Sequence, residues 1–392
     1  MRKALIFTGK VERRRAMNKG KLTTRQDVED FVRGCTLLGT GGGGSPEKGH
    51  KFLTGTLERA GQITWVDPSE VPDEAWTVCP FYMGSIAPKD SNLSERLQEM
   101  GMQVRVQKEL VQALRELTAY SGISPQFVIA AEMGGINTPA PVDAAYELGL
   151  TVVDGDFSGR AIPEITQSLA AVQGLSVYPI VFCDYAGSVT IVKKAPSYKM
   201  VERIGKLVSA ASFGLVGSAG FMMKGRDLKQ TLQPGTLTGA LEIGLTIRRS
   251  REIGDDPVAV TARFLAGWVL FKGRVMEKHW EDRDGYMFGH YQVEGLDEFS
   301  GHIFKVWFKN ENHMTWLDGR PYVMSPDIIA SVKLTDGEPI TNTDISVGEI
   351  LAIIGAPIHP VYRTEKGLAV MGPKHFGFSY DYVPIEELFQ TK

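Results

Sequence analysis

Apolar positions recur at helical spacing in Thr24–Leu38, where Val28, Phe31, Val32, Cys35 and Leu38 share a face behind a capping Thr24 with Asp27 three residues on. Gly39-Thr40-Gly41-Gly42-Gly43-Gly44 ends that helix. Ser45-Pro46-Glu47 starts another, with a capping hydroxyl, a proline at the first helical position and an acid in the first turn. Short apolar runs then alternate with helical patterns. Strands are expected at Ile63–Val66, Thr77–Met83, Phe127–Ala131, Leu150–Val153, Tyr178–Cys183 and Val189–Val192. Helices are expected near Asn92–Met100, Lys108–Tyr120, Val142–Leu148 and Glu164–Val172. This alternation predicts a three-layer α/β/α domain with a mixed, mostly parallel sheet. Two or three more helices, Leu237–Arg248 among them, are expected between Tyr198 and Leu265.

From Trp268 the pattern changes to short β-rich runs (Trp268–Phe271, His302–Phe308, Ile328–Leu334, Ile350–Ile354). Asp284-Gly285, Asp318-Gly319 and Asp336-Gly337 punctuate them as hairpin turns. A C-terminal all-β, barrel-like domain is the expectation. The chain thus divides into an N-terminal extension (1–23), the α/β domain (24–265), the β domain (266–367) and a segment (368–392) returning to the first domain.

Composition narrows the class. Of 392 residues, 43% are hydrophobic and 23% charged, with a net charge of −3, as in ordinary globular chains. No basic stripe with interleaved aromatics suggests nucleic acid, and no apolar run approaches the ~20 residues of a membrane span. Cys35, Cys79 and Cys183 are scattered, without C-x-x-C pairing, which fits a reducing cytoplasm. The basic cluster Arg2, Lys3, Lys10, Arg13, Arg14, Arg15, Lys19 and Lys21 reads either as an arm or, with Met17 as the natural start, as largely an extension.

The chemistry concentrates at strand exits. Val152–Glu164 runs from apolar Val152 and Val153 into Asp154, Gly155, Asp156, Gly159, Arg160 and Glu164, charges that are expensive to place beside a buried strand without a role. Asp154, Asp156, Ser158 and Gly159 mimic the start of a calcium loop, but Ile165 stands where a bidentate acid is needed. One divalent metal held partly by Asp154 and Asp156 remains open, as does internal pairing of these acids with Arg160. Two further exits carry Glu132-Met133-Gly134-Gly135-Ile136-Asn137 and Met83-Gly84-Ser85. If the strands are parallel neighbours, Gly84, Glu132, Asn137, Asp154 and Asp156 converge on one sheet edge.

The glycine run contains G-x-G-x-x-G (Gly39, Gly41, Gly44), yet a helix precedes it where a dinucleotide fingerprint needs a strand, and Ser45 stands where a P-loop needs Lys. No nucleotide is expected. The amides of Gly41, Gly42, Gly43 and Gly44 and the helix start at Ser45 suit an anion or a polar carbonyl; a flexible linker is the structural alternative. His279, His290, His302, His313, His359 and His375 lack zincin spacing, and no G-x-S-x-G elbow supports a hydrolase triad.

In order, G-T-G-G-G-G-S-P (39–46), E-M-G-G-I-N (132–137), D-G-D-F-S-G-R-A-I-P-E (154–164), N-E-N (310–312), P-D (326–327) and G-P-K-H-F-G (372–377) resemble the S-methyl-thiohydantoin desulfurase-like family, from about Thr24 to the C-terminus. The family is often found near hydantoinase genes. The resemblance implies the two-domain architecture above and action on a hydantoin-like five-membered ring. Ser45 departs from it, since many relatives carry Asp there.

The resulting expectation is a cytoplasmic hydrolase in which water attacks an sp² ring carbon, expelling thiolate or opening the ring. Glu132, Asp154 and Asp156 are the expected bases or metal ligands. Arg160 and the Gly41–Gly44 amides would stabilise anionic character, Asn137 would orient the ring, and Glu311 is a second candidate acid if the β domain closes over the sheet edge. A homo-oligomer is expected. The alternative is a non-catalytic binding or accessory subunit partnering a hydantoinase.

Overall fold

The computed structural model describes residues 20–88, 93–103 and 106–389. The basic cluster up to Lys19 and the Met17 start lie outside the described residues. A short antiparallel pair, β1 (Lys21–Leu22) with β2 (Ile63–Thr64), precedes two larger sheets. The first comprises β3 (Trp76–Gly84), β4 (Phe127–Ala130), β5 (Thr151–Asp156), β6 (Ile180–Cys183), β7 (Val189–Val192), β8 (Leu215–Lys224) and β9 (Gln233–Pro234), in the order β7-β6-β8-β3-β4-β5-β9.

Adjacent residues of these strands enter different cores. Val128, Val152 and Val181 pack with Phe31, Leu110, Leu114 and Ala140, whereas Ile129, Val153 and Phe182 pack with Val201, Phe221 and Leu228. Successive strand residues point to opposite faces, so the cores are the two faces of one sheet, each covered by helices. This is the expected three-layer arrangement. The sheet is mixed: among the described residues, parallel strand pairing joins β3, β4 and β5, with a single parallel bridge from Val66 to Val153, and the other strand pairings are antiparallel. The expectation of a mostly parallel sheet is corrected there. Part of the reason is connection length: the turn from β6 to β7 is too short for a crossover.

β8 lies in a stretch whose pattern reads as helical. Its Gly217, Ser218, Ala219 and Gly220 have low strand propensity. Packing demands them: a Cβ on Gly217 would sit 2.6 Å from the backbone carbonyl carbon of Glu109, and one on Gly220 would sit 2.8 Å from the Val177 carbonyl oxygen. The expected helix over Glu164–Val172 is instead a 3₁₀ turn, Ile165–Gln167, followed by the short helix Leu169–Val172, capped by the Ser168 hydroxyl.

The second sheet is wholly antiparallel. β10 (Trp268–Arg283), β11 (Tyr286–Gly295), β12 (Ile303–Lys309), β13 (Glu311–Leu317), β14 (Arg320–Met324), β15 (Ile328–Lys333) and β16 (Ile350–Ala356) run in the order β14-β13-β12-β11-β10-β16-β15 and curl into a half-barrel. Its core includes Phe271, Tyr291, Phe304, Phe308 and Ile353. The turns at Asp284-Gly285 (φ 57° and 79°) and Asp318-Gly319 (φ 50° and 76°) have the double positive φ of tight hairpins.

Arg160 fastens the sheets together. Fully buried, it donates to the carbonyls of Ala161, Asn312, Pro326 and Asp327 and to the Thr40 hydroxyl, at 2.8–3.2 Å. The C-terminal segment touches both parts. Val370 O accepts from Gln167 Nε2 at 3.0 Å, and Ile385 N donates to Asp327 Oδ2 at 2.9 Å. Among the described residues, no helix is long and apolar enough to cross a membrane.

Candidate functional site

Two strand exits and the glycine run meet at one cleft. Gly84 ends β3, Glu132 follows β4, and Asn137 precedes the helix Pro139–Glu147. Gly43 and Gly44 form another wall, and Glu311, opening β13, reaches in from the half-barrel. The cavity measures about 70 Å³, room for a small, flat molecule rather than a nucleotide.

Its centre is a pair of buried carboxyl groups. Glu132 Oε1 accepts from Asn137 Nδ2 and Oε2 from the Ile162 amide, both at 2.7 Å. Glu311 Oε1 accepts from the Gly43 amide at 3.1 Å, while its Oε2 is buried with no hydrogen-bond partner. A buried oxygen left unsatisfied is rare and costly, and such atoms mark strain or function. Burial pushes both carboxyls up, Glu132 to about 7 and Glu311 to about 8, the negative charge of Glu132 adding to the rise at Glu311. The Ile162 and Asn137 donors favour the ionised form of Glu132 and offset part of its rise. Glu311 has one donor on one oxygen, so it keeps the proton to higher pH.

The glycines serve this pair. A Cβ on Gly42 would lie 1.9 Å from Glu311 Oε1, so only glycine lets the carboxyl reach the loop. Ser45 caps the helix Pro46–Ala60 as expected, accepting from the Lys48 amide at 3.3 Å. Gly41 is turned away from the cleft, its carbonyl accepting from the Asn342 amide at 2.7 Å. The Gly42 and Gly43 amides are taken by Gly39 O at 2.8 Å and by Glu311, so they do not form an anion cradle.

Asp154, Asp156 and Arg160 do not line the cleft, and neither do Gly41, Gly42 and Ser45. The carboxylate of Asp154 caps the helix Thr236–Ile253, with Leu237 N and Thr238 N donating to Oδ1 at 3.0 and 3.1 Å. Asp156 Oδ2 collects the Ser158 amide, the Ser158 hydroxyl and the Gly159 amide at 2.8–3.0 Å, which folds the loop. Arg160 donates to carbonyls and a hydroxyl rather than to either acid, so the internal ion pair is also corrected. Among the described residues, Asp154 and Asp156 belong to no group of three potential ligands; the only such group, Glu277, His279 and His290, lies on the β10–β11 hairpin. Asn137 lines the cleft, but its amide is committed. It exchanges hydrogen bonds with Tyr82 N and O at 2.8 and 3.0 Å and orients Glu132.

The structure adds residues that the pattern reading left without a role. Glu202 and Lys206, on the helix Tyr198–Ala211, line the cleft from its other side. Lys206 Nζ donates to Gly84 O at 3.1 Å and lies 3.8 Å from Glu202 Oε1. Glu202 also accepts from Tyr286 Oη at 2.7 Å and from Ile165 N at 2.8 Å. Burial lowers the Lys206 ammonium and raises Glu202. Glu164 also lines the cleft. Against burial, which raises it, His375 and Lys309 hold it well below the usual carboxylate range. A signal was available for two of these: Glu202 and Lys206 fall at i, i+4 on the stripe of Val201, Gly205 and Ser209, where a buried face should carry no charge.

An α/β sheet facing a β half-barrel across a cleft with a buried carboxyl pair defines the architecture. Two family models match the chain, the S-Me-THD-like N-terminal domain over residues 26–194 and the S-Me-THD-like C-terminal domain over 196–385. The chain therefore belongs to the S-methyl-thiohydantoin desulfurase-like family. The crystal structure of a protein from Chromobacterium violaceum has a similar fold, with a TM-score of 0.74 at 22% identity over 93% of this chain and 99% of that one. No curated protein matches the chain.

Proposed function

We propose that this protein hydrolyses a small hydantoin- or thiohydantoin-like ring, with Glu132 as general base and Glu311 as general acid. The observation that carries this reading is the buried pair itself, in which one carboxyl accepts from two donors and the other has an oxygen without a partner. Environments that separate two neighbouring carboxyls in this way suit acid–base work near neutral pH. The family's name suggests the substrate class.

On an S-methyl thioimidate ring, Glu132 removes a proton from water as its oxygen bonds to the ring carbon. The C–S bond then breaks and the departing sulfur takes a proton from Glu311. Glu132 has by then passed the first water proton to the neighbouring nitrogen, so it takes the second as the carbon becomes a carbonyl; methanethiol leaves, and return of that proton from Glu132 to Glu311 restores the pair. Lys206 supplies positive charge for the anion that develops in the tetrahedral state. Asn137 and the Ile162 amide hold Glu132 in place.

The test is thiol release from an S-methyl-thiohydantoin across pH. A narrow maximum of kcat/KM between about 7 and 8 is expected, reporting the pair as a unit. Glu132→Gln should lose at least a hundredfold in kcat. Near-normal turnover by folded Glu132→Gln would remove the assignment.

A further inference from the structure

Two histidines that the cleft does not use meet on the outer face of the half-barrel. The register pairs His279 on β10 with His290 on β11, and Glu277 with Gln292. Alternate residues of a strand share a face, so these four side chains stand together, while the intervening Tyr291 enters the core. The imidazole ring centres are 5.2 Å apart. His279 Nε2 lies 3.7 Å from Glu277 Oε2, and His290 Nε2 lies 3.8 Å from Glu277 Oε1.

These separations are too long for hydrogen bonds, yet they approach the spacing of ligands around one ion. Zinc–nitrogen bonds of about 2.0–2.1 Å in a tetrahedron place neighbouring donor atoms roughly 3.3 Å apart. One ligand atom from each of the three residues already lies within 4.8 Å of the other two. His279 is exposed and the other two are partly so, which leaves their side chains free to close the remainder. Gln292 Nε2 donates to Glu277 Oε1 and steadies the carboxylate, the support that a ligating carboxylate ordinarily has.

We infer that the β10–β11 hairpin binds one divalent transition-metal ion, of the zinc class, through His279, His290 and Glu277. Two imidazoles and a carboxylate suit zinc, copper or nickel, whereas calcium and magnesium take oxygen ligands. The role is structural. β10 pairs with β16 only as far as Arg274, so beyond that residue the ion ties β10 to β11 where β16 no longer flanks it. The same hairpin carries Tyr286, whose hydroxyl donates to Glu202 in the cleft. Three ligands open to water, with Lys305 of β12 paired beside Gln292 as a repelling charge, set the affinity in the micromolar range.

The experiment is calorimetry of the untagged full chain with zinc chloride. One ion should bind with micromolar Kd. His279→Ala and His290→Ala should each weaken it at least tenfold, and Glu277→Gln should weaken it in the same direction. His302→Ala, whose imidazole is already bonded to Asp318, should leave it unchanged. Excess zinc should raise the Tm of the native chain and not that of the double variant His279→Ala/His290→Ala. Millimolar affinity, micromolar binding unmoved by either histidine variant, or equal Tm shifts in the native chain and the double variant would each overturn the inference. Turnover enters none of these measurements, so the ring-hydrolysis reading stands or falls separately.

Discussion

Replacing Glu311 by Gln should gain stability relative to the native protein as pH rises from acid to alkaline, while abolishing turnover. Glu311 is 2% exposed and its carboxyl is raised from 4.5 to about 8. Above its ordinary value the unfolded chain has lost the proton that the folded one still binds, so stability falls as pH rises. The contribution is complete below about 4.5 and gone once pH passes about 8. At about 1.4 kcal/mol per unit, the shift amounts to roughly 5 kcal/mol at most, and proton sharing with Glu132 reduces it to about 2–4. Gln cannot ionise. Its carbonyl can still accept from Gly43, while its amide N–H groups, placed where Oε2 found no partner, cost about 1–3 kcal/mol at every pH. That offset is constant, so the diagnostic quantity is the change in the difference between the two proteins. Urea unfolding at pH 5 and pH 9, at matched ionic strength, should show the variant gaining about 2–4 kcal/mol on the native protein between those values. A constant difference across the range would show that Glu311 titrates as an ordinary surface acid, and the acid role would fall with it.

Gly42→Ala places a methyl carbon 1.9 Å from Glu311 Oε1 and should cost about a hundredfold in kcat by displacing the carboxyl, with a cooperative melt retained. Unchanged kcat would mean that the Glu311–Gly43 contact is irrelevant to turnover. Asp154→Ala removes the cap from Leu237 and Thr238 and should lower stability by about 1–2 kcal/mol in denaturant titration. Its turnover per folded molecule should match the native value, and a large loss of kcat would return Asp154 to the chemistry.

The architecture was legible where pattern and packing agree. The change from alternating strands and helices to Asp-Gly-punctuated strands marks the passage from α/β layers to half-barrel. β8 was hidden because close packing selected small residues, erasing the apolar alternation that would announce a strand. At the site, the convergence of Gly84, Glu132, Asn137 and the glycine run could be read from strand exits. Asp154 and Asp156 could not be excluded in the same way, because a carboxylate capping a distant helix and one facing a substrate look alike in a linear string. Glu311 was visible as a polar insertion beside an apolar strand. Its pairing with Glu132 depends on how the half-barrel docks, which local sequence does not encode.

The place of β8 between β6 and β3 bears on how the chain is made. The two family models meet at residues 194–196, before β8 begins at Leu215. When that first portion has left the ribosome, β3 and β6 each lack their shared neighbour and present unpaired edges. The α/β layer can close only after Lys224 has emerged, so a long stretch of nascent chain must wait for a strand made late. Shielding of those edges during synthesis is therefore a requirement that this topology places on the cell, and cleavage near residue 195 would divide the first sheet between two fragments while leaving the half-barrel whole.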